Sequence, residues 1–386
     1  MPKSVKKRSP LASLSNAVRK SSGGTKKSVI TDVAYDFFRE YVNNPSPVGF
    51  ETGGQKLWLK YLKPYIDSQF TDPYGTAVGV INPDHAFKVV IEAHADEISW
   101  FVNYVTTDGI IYLKRNGGVD PQIAPAQRVI IHGKKGPVKA VFGWPAIHTR
   151  LGTEAKDPQP KPENLFLDCG ARNRKEVEQL GVHIGAVVTY QDEFDELANG
   201  HFIGRAFDNR VGGFMIAEVA RRLKEKKVKL PYGLYIVNAV QEEIGLRGAE
   251  MIARRIKPNI AIITDVTHDT TTPMINKMIE GEVQLGKGPS LSYAPSVHNK
   301  LLGLVETIAA SKKIPVQWRA LSRTTGTDTD SFAYANDGCP SVLISIPLRY
   351  MHTTVEMIHR DDIENTIRLM YETLVTLTPK TNLDYM

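Results

Sequence analysis

Lys88-Val89-Val90-Ile91-Glu92-Ala93-His94-Ala95-Asp96 is the stretch from which the fold can be read. Lys88 to Ala93 form a short apolar strand, and His94 follows it at once. In an open α/β sheet, ligands gather at the carboxyl ends of the strands. A histidine in that place, with an acid two residues on, is where a site would form.

Working outward, a helical pattern begins near Ser28 and runs through Val33-Ala34-Tyr35-Asp36-Phe37-Phe38-Arg39-Glu40-Tyr41. A second, through Leu57 to Leu62, follows the turn Pro45-Ser46-Pro47. Between about Trp100 and Gly200 the texture changes to short β-like runs, such as Gly109–Leu113, Arg128–Ile131 and Pro137–Phe142. Gly and Pro turns separate them, and one short helical segment lies near Arg174–Leu180. Such texture predicts a small all-β unit, a barrel or sandwich, whose strand edges need covering.

After Gly200 a long alternation sets in. Helix Val211–Lys226 leads to strand Leu234–Val240, helix Leu246–Arg255 and strand Ile260–Thr264. Helix Val297–Ala310, strand Ser341–Ile346 and helix Ile363–Leu377 follow. The pattern predicts an α/β fold, with a mainly parallel sheet covered by helices on both faces. Residues 29–99 and 201–386 form that domain, residues 100–200 are the β unit inserted in it, and residues 1–28 precede it.

Composition narrows the function. Of 386 residues, 42% are hydrophobic and 23% charged, as in ordinary globular proteins. No apolar run approaches the ~20 residues that span a bilayer. The net charge of +6 misleads: residues 1–28 hold eight Lys and Arg and no acid, and +6 less eight leaves −2 for the rest. A nucleic-acid footprint over the fold is therefore not expected. The Ser-, Lys- and Gly-rich tail reads as a disordered extension. Two cysteines, Cys169 and Cys339, form no C-x-x-C pair and suit a reducing cytoplasm.

Four further residues share the placement of His94. Glu242 and Glu243 follow strand 234–240, Asp265 ends strand 260–264, and His352 lies just beyond strand 341–346. Asp208, in Phe207-Asp208-Asn209-Arg210, sits where the next helix begins. Singly, each has an ordinary explanation: a core histidine, a solvated Glu-Glu, an Asp at a helix N-cap. Together, in order and at strand ends, His94, Asp208, Glu243, Asp265 and His352 form a ligand set for two divalent ions. Two imidazoles and three carboxylates suit zinc, cobalt or manganese. Such a pair generates a hydroxide nucleophile near neutral pH and clamps a polarised carbonyl. In extended backbone Glu242 and Glu243 point to opposite sides, so one can bind metal while the other faces the substrate water as general base. Asp96, on the same side as His94, is placed to accept a hydrogen bond from its ring and fix its tautomer.

At this point the chain resembles the tetrahedral (TET) and glutamyl aminopeptidases, cytosolic dinuclear metallopeptidases. The matching stretches are His94-Ala95-Asp96-Glu97-Ile98, residues 204–213 around Asp208, residues 241–249 around Glu242-Glu243, and Thr264-Asp265-Val266. Residues 285–289, Gly326-Thr327-Asp328 and residues 346–352 complete the set. Spacing separates the chain from relatives sharing these ligands. From 94 to 208 is 114 residues, from 208 to 242 is 34, and from 265 to 352 is 87. The long gap that holds the insert thus falls between the first two ligands.

The resemblance implies one ion held by His94, Asp208 and Asp265, and a second by Asp208, Glu243 and His352. It implies Glu242 as base, Asp96 as supporting carboxylate, and an insert that is PDZ-like and builds dimers into hollow dodecamers. Its substrates would be short peptides, cut from the N-terminus. Asp328 and Asp330 fall in a stretch expected near the substrate side-chain pocket. The basic tail is no part of the family pattern. Some members have carried endoglucanase labels, so a glycoside hydrolase is the alternative, and a catalytically silent scaffold a third. Glycosidases use two carboxyls facing across a sugar bond, whereas these are committed to metal. A silent scaffold would have lost a ligand or the base, and none is lost.

Overall fold

The strand opening on Lys88 lies in the middle of an eight-stranded sheet. The computed structural model describes residues 30–150 and 159–386, so the basic tail lies outside the described residues. In spatial order the sheet runs β1 (Ser68–Thr71), β2 (Ala77–Ile81), β12 (Gly233–Ala239), β3 (Lys88–His94), β13 (Ile260–His268), β16 (Ser341–Leu348), β14 (Ser290–Tyr293) and β15 (Gln317–Ala320). The central four are parallel. β1 and β2 add antiparallel on one side, and β14 joins β16 antiparallel on the other, with β15 parallel to it.

The sheet is therefore mixed, with its parallel part confined to the centre. The four flanking strands are four or five residues long, too short to print a clear period in the sequence. The central strands are legible because helices cover both faces. Every residue of β12 and β16 is buried, which selects continuous Val, Ile and Leu rather than alternation.

Helices Asp32–Asn43, Thr52–Leu62, Phe207–Glu225 and Arg360–Thr376 pack together, and helices Arg247–Ile256 and Thr329–Ala333 form a second set against β12, β13 and β16. The first helix starts at Asp32 because the Thr31 hydroxyl accepts from Ala34 N at 3.2 Å, an N-cap. No helix among the described residues is long and apolar enough to cross a membrane.

The β unit closes on itself: β4 (Ser99–Val105), β5 (Ile111–Asn116), β8 (Phe166–Asp168), β7 (Gly136–Gly143), β6 (Arg128–Gly133) and β9 (Val187–Tyr190), which pairs back onto β4. The expectation of strand edges needing cover is thereby corrected, since closure removes edges. Its core is separate from that of the sheet and includes Trp100, Val129, Ile131 and Leu167. Trp100 meets Phe142 edge-on at 5.5 Å. Besides helix Arg174–Gln179 it holds a second helical turn, Ile147–Arg150, too brief for periodicity to reveal.

A third, small sheet, β10 (Asp195–Glu196), β11 (His201–Gly204) and β17 (Glu356–His359), is antiparallel. It pairs Gly204 with Glu356, and so ties the approach to Asp208 to the segment after His352.

Candidate active site

β3 ends on His94, 2% exposed, with Nε2 3.1 Å from Asp208 Oδ1, 3.7 Å from Asp265 Oδ1 and 3.8 Å from Glu242 Oε2. His352 approaches from the other side. Its Nε2 lies 3.3 Å from Asp208 Oδ2 and 3.4 Å from Glu243 Oε2. The two oxygens of one carboxylate thus face two different imidazoles. All five expected ligands, and Glu242, converge.

Three triads have donor atoms within 4.8 Å of one another: His94, Asp208 and Asp265; Asp208, Glu243 and His352; and His94, Glu242 and Glu243. Metal–ligand bonds of ~2 Å put donors on one ion about this far apart. The donor set fits a pair of divalent cations, one on either side of Asp208. The alternation expected at Glu242-Glu243 is not the device that places them. Gln241 has φ of +58° and the chain turns there out of β12.

Asp96 places them instead. Its Oδ1 accepts from Glu242 N at 3.0 Å and its Oδ2 from Glu243 N at 3.1 Å. His94 Nδ1 lies 3.4 Å from Asp96 Oδ1 without forming a hydrogen bond. The expected role in fixing the ring is thus corrected: both Asp96 oxygens are aimed at backbone.

For His352 the tautomer is set from the barrel. Its Nδ1 is 3.0 Å from the Gly118 carbonyl, just past β5, which leaves Nε2 as the ligand atom. A side chain at Gly118 would put Cβ 2.9 Å from His352 Cε1, so glycine is what lets the backbone come this close. The β unit therefore reaches the chemistry.

Other determinants escaped the sequence. Glu356 is buried, and its two oxygens accept from Asp208 N at 3.0 Å and His352 N at 2.9 Å, locking both ligands. Nothing in Thr353-Thr354-Val355-Glu356 announces this. Asn209 Nδ2 donates to Thr264 O at 2.9 Å, fixing Asp208 beside the strand of Asp265.

The charges crowd. Burial opposes protonation of His94 and His352, yet the surrounding carboxylates hold His94 well above its ordinary range and push His352 up to about 12. Burial, reinforced by Asp265, Asp328 and Glu243, pushes Glu242 up to about 10, and burial raises Glu243 and Asp265 as well. Asp208 goes the other way: burial opposes its charge, but His352 and His94 lower it. In the metal-free protein protons occupy the places that cations would take.

The cluster floors a cavity of about 590 Å³. Asp330 lines it, but its carboxylate accepts from Thr325 N at 2.9 Å, Gly326 N at 3.2 Å and Ser296 Oγ at 2.6 Å, so it holds its own loop. Asp328 is not on the wall. It is buried beside Glu92, behind the ligands, where burial and then Glu92 raise its pKa well above the ordinary. His268, given no role from sequence, lines the cavity.

The sequence model of the M42 glutamyl aminopeptidases matches residues 75–369. The chain belongs to the M42 glutamyl aminopeptidase family. It is a metal-dependent aminopeptidase, a hydrolase of peptide bonds. Lysyl aminopeptidase of Pyrococcus furiosus, an M42-like relative, is 32% identical over 350 residues, 90% of this chain and 98% of that protein. The TET aminopeptidase of Thaumarchaeota archaeon SCGC AB-539-E09 superposes with a TM-score of 0.85 at 29% identity, covering 90% of this chain and 97% of that one. The TET1 peptidase of Pyrococcus horikoshii, which can assemble into a tetrahedron or a large octahedral shell, shares the fold: TM-score 0.79, 24% identity, 89% and 100% covered.

Proposed function

We propose that the chain releases N-terminal residues from short, unfolded peptides at a two-ion centre, Asp208 bridging. The observation that carries this is the pair of Asp208 oxygens facing His94 and His352 at 3.1 and 3.3 Å. His94 and Asp265 would complete one ion's ligands, and Glu243 and His352 the other's. Zinc suits this set first, with cobalt or manganese also compatible. When bound, the ions would make a water nucleophilic near neutral pH and polarise the scissile carbonyl.

The chain's own groups do the rest. Glu242 is the general base: it lines the cavity and is more open than Glu243, with side chains 10% and 5% exposed. It takes the proton of the attacking water on a carboxylate oxygen and returns it to the leaving amine. Asp96 aims both glutamates through their backbone N–H groups, and Glu356 and Gly118 hold Asp208 and His352. The glycoside-hydrolase alternative lacks support, because the carboxylates pair with imidazoles within 4.8 Å rather than facing one another across a gap.

We infer further that the unit over residues 100–200 is the PDZ-like dimerisation insert of this family and that dimers build a dodecamer. The division of the chain at residues 29–99, 100–200 and 201–386 belongs to the same proposal. The family resemblance supports it, as do the separate core and closed barrel. Light scattering on the full chain, and on one lacking residues 1–28, would show an assembly far above 43 kDa; a monodisperse, active monomer in both would rule it out. A cytoplasmic setting agrees with two free cysteines. The functional reading is tested by assaying peptides and cellooligosaccharides with and without chelator. Cleavage of peptides alone, abolished by the chelator, is expected; turnover that survives verified metal removal would refute it.

A further inference from the structure

The far end of the cavity carries a charge that none of these roles uses. Arg319, on β15, lines it together with Thr267, His268, Ser292, Leu321 and Thr325. Its Nη1 donates to Thr267 Oγ1, and its Nη2 lies 3.5 Å from Glu280 Oε2. Thr267 is two residues beyond Asp265 on β13, so both side chains leave the strand on one face, about 6.6 Å apart along it. The guanidinium is thereby tethered roughly one side-chain length from the ligands that would receive the peptide's N-terminus.

Its surroundings leave that charge available. The guanidinium is a planar fork of five donors, and the side chain is only 14% exposed, so it has little water to satisfy them. Glu280 stands outside the cavity with its side chain 43% exposed, where an ion pair neutralises weakly. His268 adds no competing anion; burial, then Arg319, lowers its pKa. Asp330, the other acid at this end, is taken up by its own loop.

We propose that Arg319 selects the N-terminal side chain and that the cavity takes peptides beginning with an acidic residue. The inference rests on the aminopeptidase reading and deepens it. Family membership does not decide it, since these peptidases are named for glutamate and for lysine alike. A carboxylate entering the pocket meets unused donors of a fixed fork, whereas an ammonium meets a like charge with no free acid to turn to.

The test compares glutamyl-, glutaminyl-, lysyl- and leucyl-arylamides on the full chain reconstituted with zinc. Glutamine matches glutamate in shape, so the Glu:Gln ratio of kcat/KM isolates the charge. A charge-assisted contact of this kind predicts a ratio of about 10 to 100. The ratio should fall to near unity in Arg319→Gln, survive in part in Arg319→Lys, and give way to lysyl preference in Arg319→Glu. Being internal to each protein, it is insensitive to general damage. A native chain that cleaves the leucyl substrate without favouring Glu over Gln overturns the assignment and leaves the aminopeptidase standing. So does an Arg319→Gln variant with the native ratio. Failure on every arylamide, with metal bound, overturns the aminopeptidase reading and this inference with it.

Discussion

Replacing Asp96 tests how the two catalytic glutamates are aimed. Its carboxylate accepts the backbone N–H groups of Glu242 and Glu243 at 3.0 and 3.1 Å and is wholly buried. Asp96→Ala leaves both donors without a partner, at ~1–3 kcal/mol each, so ~2–6 kcal/mol in all. Relief of repulsion against the neighbouring acids and entry of a water offset part of this, which places the expected net loss nearer 2 than 6. Asp96→Asn keeps one acceptor oxygen and turns an amide toward the other N–H, so it should cost about half as much. Denaturant unfolding of the metal-free proteins gives the ordering directly: native above Asn, Asn above Ala. Metal content and kcat of the reconstituted proteins should fall in the same order, because both carboxylates hang from the released backbone. An Asp96→Ala protein within ~0.5 kcal/mol of native, with full metal content, would refute this role for Asp96.

Glu242→Gln keeps the shape and removes the base, so metal should persist while kcat falls ~10²- to 10⁴-fold; Glu243→Gln should lose metal, and the opposite result would exchange the two roles. Loading metal near pH 7 should release protons from the cluster, and affinity should fall as pH is lowered, seen by calorimetry in buffers of different ionisation heat. Without metal, His352, with a pKa of about 12, and Glu242, of about 10, both bind protons more tightly folded than unfolded. Their contribution is therefore full below the unfolded values and is lost as pH rises toward 10, so metal-free stability should decline over that range; a rise would contradict the cited shifts. Gly118→Ala forces Cβ to 2.9 Å from His352 Cε1, and metal analysis should show the ion at His352 lost before the one at His94.

Much of the centre was legible because strand ends in an α/β sheet are few. Once Lys88–His94 is a strand, His94, the Glu242-Glu243 pair, Asp265 and His352 fall at one edge of one sheet. What escaped is held by backbone geometry or by burial. Gly118 acts through a carbonyl and a missing Cβ, Glu356 accepts two backbone N–H groups, and Asp96 works on backbone rather than on the imidazole it neighbours. The edge strands β1, β14 and β15 are four residues each, and their pairing is decided by the strands beside them. Asp328 shows the limit of reading an acid by position. It lies in the expected stretch but is buried with Glu92, away from the cavity wall.

The measurement closest to the centre of this reading is anomalous diffraction from crystals of the zinc-loaded enzyme. Two peaks per subunit are expected, one among His94, Asp208 and Asp265 and the other among Asp208, Glu243 and His352, each within ~2.2 Å of a different Asp208 oxygen. A single ion, or a pair held at His94, Glu242 and Glu243 without Asp208 between them, would contradict it.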